Sequence, residues 1–382
     1  MTIRPRWSIG PARRFTRNVL LPVTVAGRPL MIKYTRDPAE ALAEVRGHGV
    51  LAPHYPLPGL HAHLRVPGGR LLVYERLPGG RDHGLFLDLL NRPGPPGGEL
   101  QDYMRDMTRF YRKAIAATAR RVHPGDVVRK LYWDRAQPGG RLDIYYQGRD
   151  FLFHHPVPVG QLHHHTLIIN NCELHLDWNR TLDGLREHFA DDEPVWAALT
   201  QGDPTDVNLA HPLAWLDYDT AGMNSLLGEF ANFLWYTTAL GGWLAPTYNP
   251  DAFVDHPATN IRLAANRPKL HWAVIDPRTR TIHIDYSSAP APARRAAAAL
   301  YWQHLVEPTA ADLWPGQELG TLLRPYLTMR ILAVYNLSDL TPHDRIITLA
   351  RLAEVMDPRF DPITFFHLRE HLCPRPSLAG PP

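Results

Sequence analysis

The stretch QGDPTDVNLAHPLAWLDYD, residues 201–219, decides how this chain is read. It sets an acid behind a glycine at Asp203 and a side-chain amide five residues on at Asn208. An apolar triplet, Ala214-Trp215-Leu216, then leads into Asp217, with Asp219 close behind. The triplet predicts a short buried strand that presents a carboxylate at its tip. One amide and one or two carboxylates make an oxygen-rich set that suits magnesium, a hard cation. Phosphoryl transfer asks a protein for little more than such ligands, cations on the phosphates and a residue that orients or deprotonates the acceptor hydroxyl. On spacing alone, a polar turn before a strand accounts for the same residues, its acids only capping and solvating it.

Upstream, residues 19–34 read as two apolar strands joined at Ala26-Gly27-Arg28. Asp37 to His48 reads as a helix, with Asp37 as N-cap, Pro38 in the first turn and Gly49 after the end. Segments 61–66 and 70–76 pair about Pro67-Gly68-Gly69, and the glycine-rich run LPGGRDHG follows as a hinge. Beyond it the pattern is helical over 100–121, strand-like over 128–178, and helical over 181–199 with a break at Pro194. A helix is expected over 226–240, a hairpin over 269–287, and mostly helix from Ala293 to Leu372. The order is a small strand-rich front with one helix, a hinge, and a larger helical rear carrying two β-rich insertions.

The central stretch resembles the catalytic loop of the aminoglycoside phosphotransferase and choline kinase superfamily, relatives of the protein kinases. Gly202-Asp203, Asn208, Leu216-Asp217-Tyr218-Asp219 and Gly222 carry the resemblance. Gln201 stands where that family has histidine, and Glu229 where it has an aspartate bracing the loop. The resemblance implies a two-lobed, protein-kinase-like α+β fold. Residues 1–80 would form a nucleotide lobe, and residues 81–382 a helical catalytic lobe with insertions near 128–178 and 245–290. It implies ATP as phosphate donor and Mg2+ as cofactor. Asp203 would be the catalytic base or orienter, Asn208 and Asp217 would be metal ligands, and Asp219 would serve a second metal site or the substrate.

The front lobe supplies matching parts in order. Leu30-Met31-Ile32-Lys33 is an apolar strand ending in a lysine of the kind that meets the α- and β-phosphates. A snorkelling strand lysine is the plainer reading of that residue taken alone. Glu40 and Glu44 lie one turn apart on the following helix, and the family spacing favours Glu44 as the lysine's partner. Glu75, Arg76 and Leu77 resemble the strand-to-hinge segment whose backbone meets adenine. Gly10 to Asn18 falls where a phosphate loop belongs, but it lacks a Gly-x-Gly-x-x-Gly pattern, so Arg13, Arg14 or Arg17 would contact phosphates there. No Walker-type Gly-x-x-x-x-Gly-Lys run occurs, which argues against a P-loop kinase.

Composition narrows the rest. A net charge of +3 is too small to imply nucleic acid, and no groove of alternating aromatic and basic residues is visible. No run reaches the length of a membrane span, and the two cysteines, Cys172 and Cys373, form no CxxC pair, so a cytoplasmic setting is expected. The histidines at 154–155, 163–165 and 175 lack a cysteine or glutamate that would complete a zinc motif; they read as decoration of a loop or strand near the substrate cleft. Trp215, Tyr218, Phe230, Phe233, Trp235 and Tyr236 have the spacing of core packing more than of a cation cage. The expected acceptor is a small hydroxylated molecule: an antibiotic, aminosugar, nucleoside or amino alcohol. A nucleotide-binding pseudokinase or binding module, a nucleotidyltransferase and a protein kinase are the other readings of one fold.

Overall fold

A computed structural model of the chain describes residues 7–15, 18–77, 84–92, 94–239 and 242–368. The front is an antiparallel sheet built from β1 (Trp7–Ile9), β2 (Arg13–Phe15), β3 (Asn18–Val25), β4 (Arg28–Thr35), β5 (Leu60–Val66) and β6 (Gly69–Glu75). Its order is β1-β3-β4-β6-β5, with β2 also paired to β3. Strands β1 and β2 thus lie end to end along one partner, interrupted at Gly10, whose N–H donates to the carbonyl of Pro22 at 2.8 Å.

The helix α1 (Pro38–Leu51) crosses between β4 and β5. Asp37 caps it by accepting from the N–H groups of Ala39 and Glu40 at 2.8 and 3.2 Å, and Pro38 occupies the first turn, where a missing N–H costs nothing. The helix runs through Gly49 to Leu51, past the stop expected there, because Val50 and Leu51 extend it and Leu51 is buried in the core. Gly47 has a packing role. A Cβ there would lie 2.1 Å from the carbonyl oxygen of Tyr218, so only glycine lets the helix touch the chain beside Asp217.

The rear is mostly helical, so the whole is α+β, with a β-sheet front and a helical back. Two expectations there need correction. Residues 128–147 hold the short helices Trp133–Ala136 and Arg141–Tyr146 in place of strands; Gly140 leads directly into the second. The predicted helix over 181–199 is a helix Trp178–Ala190 followed by the strand Val195–Thr200, because Asp191 to Pro194 end the helical run and the sequence after them is a short apolar segment. The helix Leu226–Leu234 continues as a π-helical turn over Trp235–Ala239. The hairpin Lys269–Asp276 and Thr281–Ser287 forms as expected and joins Thr166–Ile169 and Cys172–Leu174 in a four-stranded insertion.

One continuous core spans front and back. Tyr55, just after α1, fits against Tyr111 and Trp215 at ring distances of 5.6 and 4.7 Å, and its hydroxyl donates to the Leu199 carbonyl. The Trp215 N–H donates to the carbonyl of Pro56 at 3.1 Å. Such aromatic pairs contribute about 0.5–1.5 kcal/mol each beyond their buried area. They bolt the front sheet to the strand that carries Asp217. Trp215, Tyr218, Phe230, Phe233 and Trp235 are buried, as a core reading requires, whereas Tyr236 is half-buried with the Arg330 guanidinium 5.1 Å from its ring centre. Among the described residues no helix is long and apolar enough to cross a membrane. Cys172 is exposed and unpaired; Cys373 lies outside the described residues.

Candidate active site

The cleft between front and back gathers residues from distant parts of the chain. Lys33, on β4, projects inward and is nearly buried. Its Nζ lies 2.7 Å from Glu44 Oε2 on α1 and 2.8 Å from Asp217 Oδ1, a residue 184 positions away. Glu40, the other helix candidate, is also buried but is not in this pair. Burial by itself would press the Lys33 ammonium down. Asp217 and Glu44 outweigh it and hold the group above the ordinary lysine range. Burial pushes Glu44 up, with Lys33 opposing, and the Tyr74 hydroxyl donates to its other oxygen at 2.7 Å. The lysine is therefore a fixed cation, held between two carboxylates.

Residues 200–203 and 216–220 are laced together. Gln201 donates from Nε2 to the carbonyls of Leu216 and Asp217 at 3.0 and 2.6 Å and accepts at Oε1 from the N–H of Asp203 at 2.8 Å. Both ends of the buried Gln201 amide are thus used. Gly202 has φ +88° and a Cβ there would sit 2.4 Å from the Thr220 carbonyl, so this position is closed to other residues. Asp217 itself has φ +56°, an uncommon region for a non-glycine residue that aims its carboxylate at Lys33.

Glu229 braces the loop from below. It accepts from the Tyr111 hydroxyl at 2.6 Å, the Thr200 hydroxyl at 2.8 Å and the Gly202 N–H at 3.0 Å. Its complete burial outweighs those bonds and pushes its carboxyl up to about 7. Asn208 donates through its side-chain nitrogen to the Asp203 carbonyl at 2.9 Å, which leaves its side-chain oxygen as the atom for a cation. The Leu216 N–H donates to the Asn208 carbonyl, so Asn208 and Asp217 come from neighbouring positions of one small sheet. An amide oxygen and a carboxylate fit magnesium, which binds a few protein oxygens and completes its shell with phosphates and water. Asp219 is half-buried close to Asp217 and pairs with Lys130.

Three further residues belong to this site and carry no motif. Asn232 donates to Asp203 Oδ1 at 2.8 Å, and Arg330 approaches the same oxygen at 3.5 Å while donating to the Tyr236 hydroxyl at 2.9 Å. Arg294 meets Asp206 at 2.6 Å, both buried, and also donates to the carbonyls of Tyr236 and Thr237. The available signal was a polar residue inside an apolar helix: Asn232 in FANFLW, Arg294 in PARRAAAAL and Arg330 in TMRILA. A buried charge or amide in such a run must find a partner, which marks it as a member of a polar network.

At the hinge, the N–H of Glu75 donates to Gly59 and that of Arg76 to Pro29, at 2.7 and 3.1 Å. Those two donors are already engaged within the front sheet. Leu77 makes no backbone hydrogen bond among the described residues. Residues 78–83, and Arg17 of the phosphate-loop segment, lie outside the described residues. The histidines gather elsewhere: His154, His155, His164 and His165 line a groove of about 790 Å³ against Ala273–Ile275 and Arg280 of the β insertion. Among the described residues no group of three or more histidine, cysteine or acidic side chains is arranged to hold a metal.

No family model and no curated protein sequence matches the chain. Among solved structures, it is similar to a thermostable mutant of the aminoglycoside phosphotransferase APH(4)-Ia in a ternary complex with ADP and hygromycin B. That match has 12% identity and a TM-score of 0.39, and it covers 83% of this chain and 95% of the other. It is also similar to a glucosamine kinase, with 14% identity, a TM-score of 0.41, and 91% and 77% of the two chains covered. A third similar structure is an aminoglycoside-3'-phosphotransferase of type VIII, with 13% identity, a TM-score of 0.37, and 68% and 85% covered.

Proposed function

We propose that the chain is an ATP-dependent phosphotransferase that moves the γ-phosphate to a hydroxyl of a small molecule. Residues 1–80 form its nucleotide lobe and residues 81–382 its catalytic and substrate lobe. The observation that carries this reading is the single contact set at Lys33 Nζ, which lies at hydrogen-bond distance from Glu44 and Asp217 together. It ties strand, helix and catalytic loop into one arrangement, the one that phosphate positioning requires.

In this reading Lys33 contacts the α- and β-phosphates, and the backbone at Leu77 meets the adenine edge. Glu75 and Arg76 shape the hinge, since their N–H groups are bonded inside the sheet. Asn208 and Asp217 hold Mg2+, which when bound neutralises charge on the β- and γ-phosphate oxygens. Asp219 keeps Lys130 at the rim. Asn232 and Arg330 fix the orientation of the Asp203 carboxylate. The acceptor oxygen attacks the γ-phosphorus and its proton passes to Asp203. The bond from that phosphorus to the β–γ bridging oxygen breaks, and ADP leaves with the electron pair.

The test is a screen of ATP consumption against hydroxylated compounds, read by mass spectrometry. A product heavier by one phosphate, absent with Asp203→Ala, is the expected result. Product formation that persists in that variant overturns the role of Asp203, and addition of AMP in place of phosphate overturns the reaction type.

A further inference from the structure

On the acceptor side of Asp203 the chain collects cations that its own carboxylates do not match. Arg135 and Arg141, from the two short helices after Lys130, both donate from Nη1 to one atom, the carbonyl oxygen of Ala333, each at 3.0 Å. Their two Nη1 atoms therefore lie within about 6 Å of each other. Ala333 is the C-cap of the helix Leu319–Leu332, which carries Arg330. Arg330 is 2% exposed, and its Nε and Nη1 have no hydrogen-bond partner among the described residues. Neither Arg135 nor Arg141 has a carboxylate within ion-pair distance among the described residues. Among the described residues Asp203 is the one carboxylate within ion-pair distance of any of the three guanidiniums, and it reaches only Arg330, at 3.5 Å.

A helix C-terminus explains one cation and not this set. Capping a carbonyl takes one donor, whereas each guanidinium carries five in a fork shaped for carboxylate or phosphate. Burial, with Arg330 and Arg141 nearby, presses the Arg135 guanidinium down from its ordinary range, as expected where like charges face one another without an anion. Tyr236 and Tyr335 stand beside the group, and the Arg330 guanidinium lies 5.1 Å from the Tyr236 ring centre. An aminated acceptor would bring a fourth cation to this wall. An acidic one would satisfy it.

We infer that the acceptor is a hydroxylated anion, a carboxylate or a phosphate ester. Its acidic group is received by Arg135 and Arg141, with Arg330 behind them, while its hydroxyl faces Asp203. This inference rests on the phosphotransferase reading for the hydroxyl, but the anion site can be measured without it.

The experiment is calorimetric titration of the full chain with inorganic phosphate and, separately, malonate. Each is run without nucleotide and again with the chain saturated by AMP-PNP and magnesium. Saturable binding of one anion is expected. It should weaken at least tenfold in the Arg135→Gln/Arg141→Gln variant, which keeps donors for Ala333, and persist in the Arg135→Lys/Arg141→Lys variant. The melting temperature of each variant reports that it has folded. The stronger of the two anions tells phosphate from carboxylate. No saturable binding, or binding indifferent to the glutamine pair, overturns the inference. Matched acceptors with a neutral, aminated or acidic substituent supply the second readout. The acidic member should be turned over best, and the glutamine pair should raise its KM at least tenfold while changing kcat less. A preferred aminated or neutral acceptor overturns the anion assignment and leaves the kinase reading intact. Anion binding that needs the arginines, in a chain that binds no AMP-PNP, does the reverse.

Discussion

The two ends of the cleft treat charge in opposite ways. On the proposed donor side, Lys33 meets Glu44 at 2.7 Å and Asp217 at 2.8 Å, so the cation is matched within the chain itself. On the proposed acceptor side, Arg330 lies 3.5 Å from Asp203, while Arg135 and Arg141 share a carbonyl and meet no carboxylate among the described residues. Matched charges hold a shape, because removing one partner strands the other in a place without water. Unmatched charges store an affinity, because the missing partner must come from outside. The donor end thus reads as preorganised machinery and the acceptor end as a receptor.

The sharpest way to break this contrast is at Asp203, where the two ends meet. Asp203→Asn keeps the contact with Asn232 and removes the proton acceptor, so turnover should fall about 10²- to 10⁴-fold with nucleotide affinity unchanged. Single-turnover kinetics beside a nucleotide titration measures both. An equal loss in both would make Asp203 part of the donor end.

Next in size is Lys33→Met. It leaves Glu44 buried without its cation and should cost about 3–5 kcal/mol of stability, read by urea unfolding. Adding Glu44→Gln should recover most of that stability and none of the nucleotide binding. If the single variant is as stable as the parent, the matched-charge account of the donor end is wrong.

Glu229 gives a pH test of the brace beneath the loop. Its folded carboxyl sits at about 7 against an ordinary value of 4.5, so the folded chain holds a proton there that the unfolded chain releases first. The corresponding stability is fully present below pH 4.5 and is lost as pH rises toward and through 7. The shift corresponds to about 3 kcal/mol across that window. Glu229→Gln should flatten this part of the stability–pH curve. A variant with the parent's slope would show that Glu229 titrates normally.

The smallest effect belongs to Arg141. It is exposed and lies among like charges, so Arg141→Gln should change stability by no more than about 0.5 kcal/mol in either direction. Thermal unfolding at low and high salt would check this. A large loss would turn the acceptor-end arginines from a receptor into scaffolding.

Reading the sequence located the regular parts well and the polar network poorly. The hairpin at 18–35, the Asp37 cap and the hairpin at 269–287 are visible because their signals are local: alternation, a capping side chain, a turn. The segment 128–147 misled because its aromatic and β-branched residues favour strands, while Trp133, Leu142 and Tyr146 are buried on one side of short helices. Arg330, Asn232 and Arg294 were missed because nothing in a short window says which carboxylate, amide or carbonyl a buried polar group will meet.

By itself, the sequence determined the α+β order, the Asp203–Asn208–Asp217 spacing and the lysine strand before a helix with Glu44. Each follows from spacing and pattern within a few residues. Only the tertiary structure decided that Gln201 ties together the turns at Asp203 and Asp217, that Arg330 reaches Asp203, and that Arg135 and Arg141 share the carbonyl of Ala333. The reason is one of range. Strand and helix form from neighbours, whereas a buried charge must find its partner wherever the fold brings one, as Lys33 does across 184 residues.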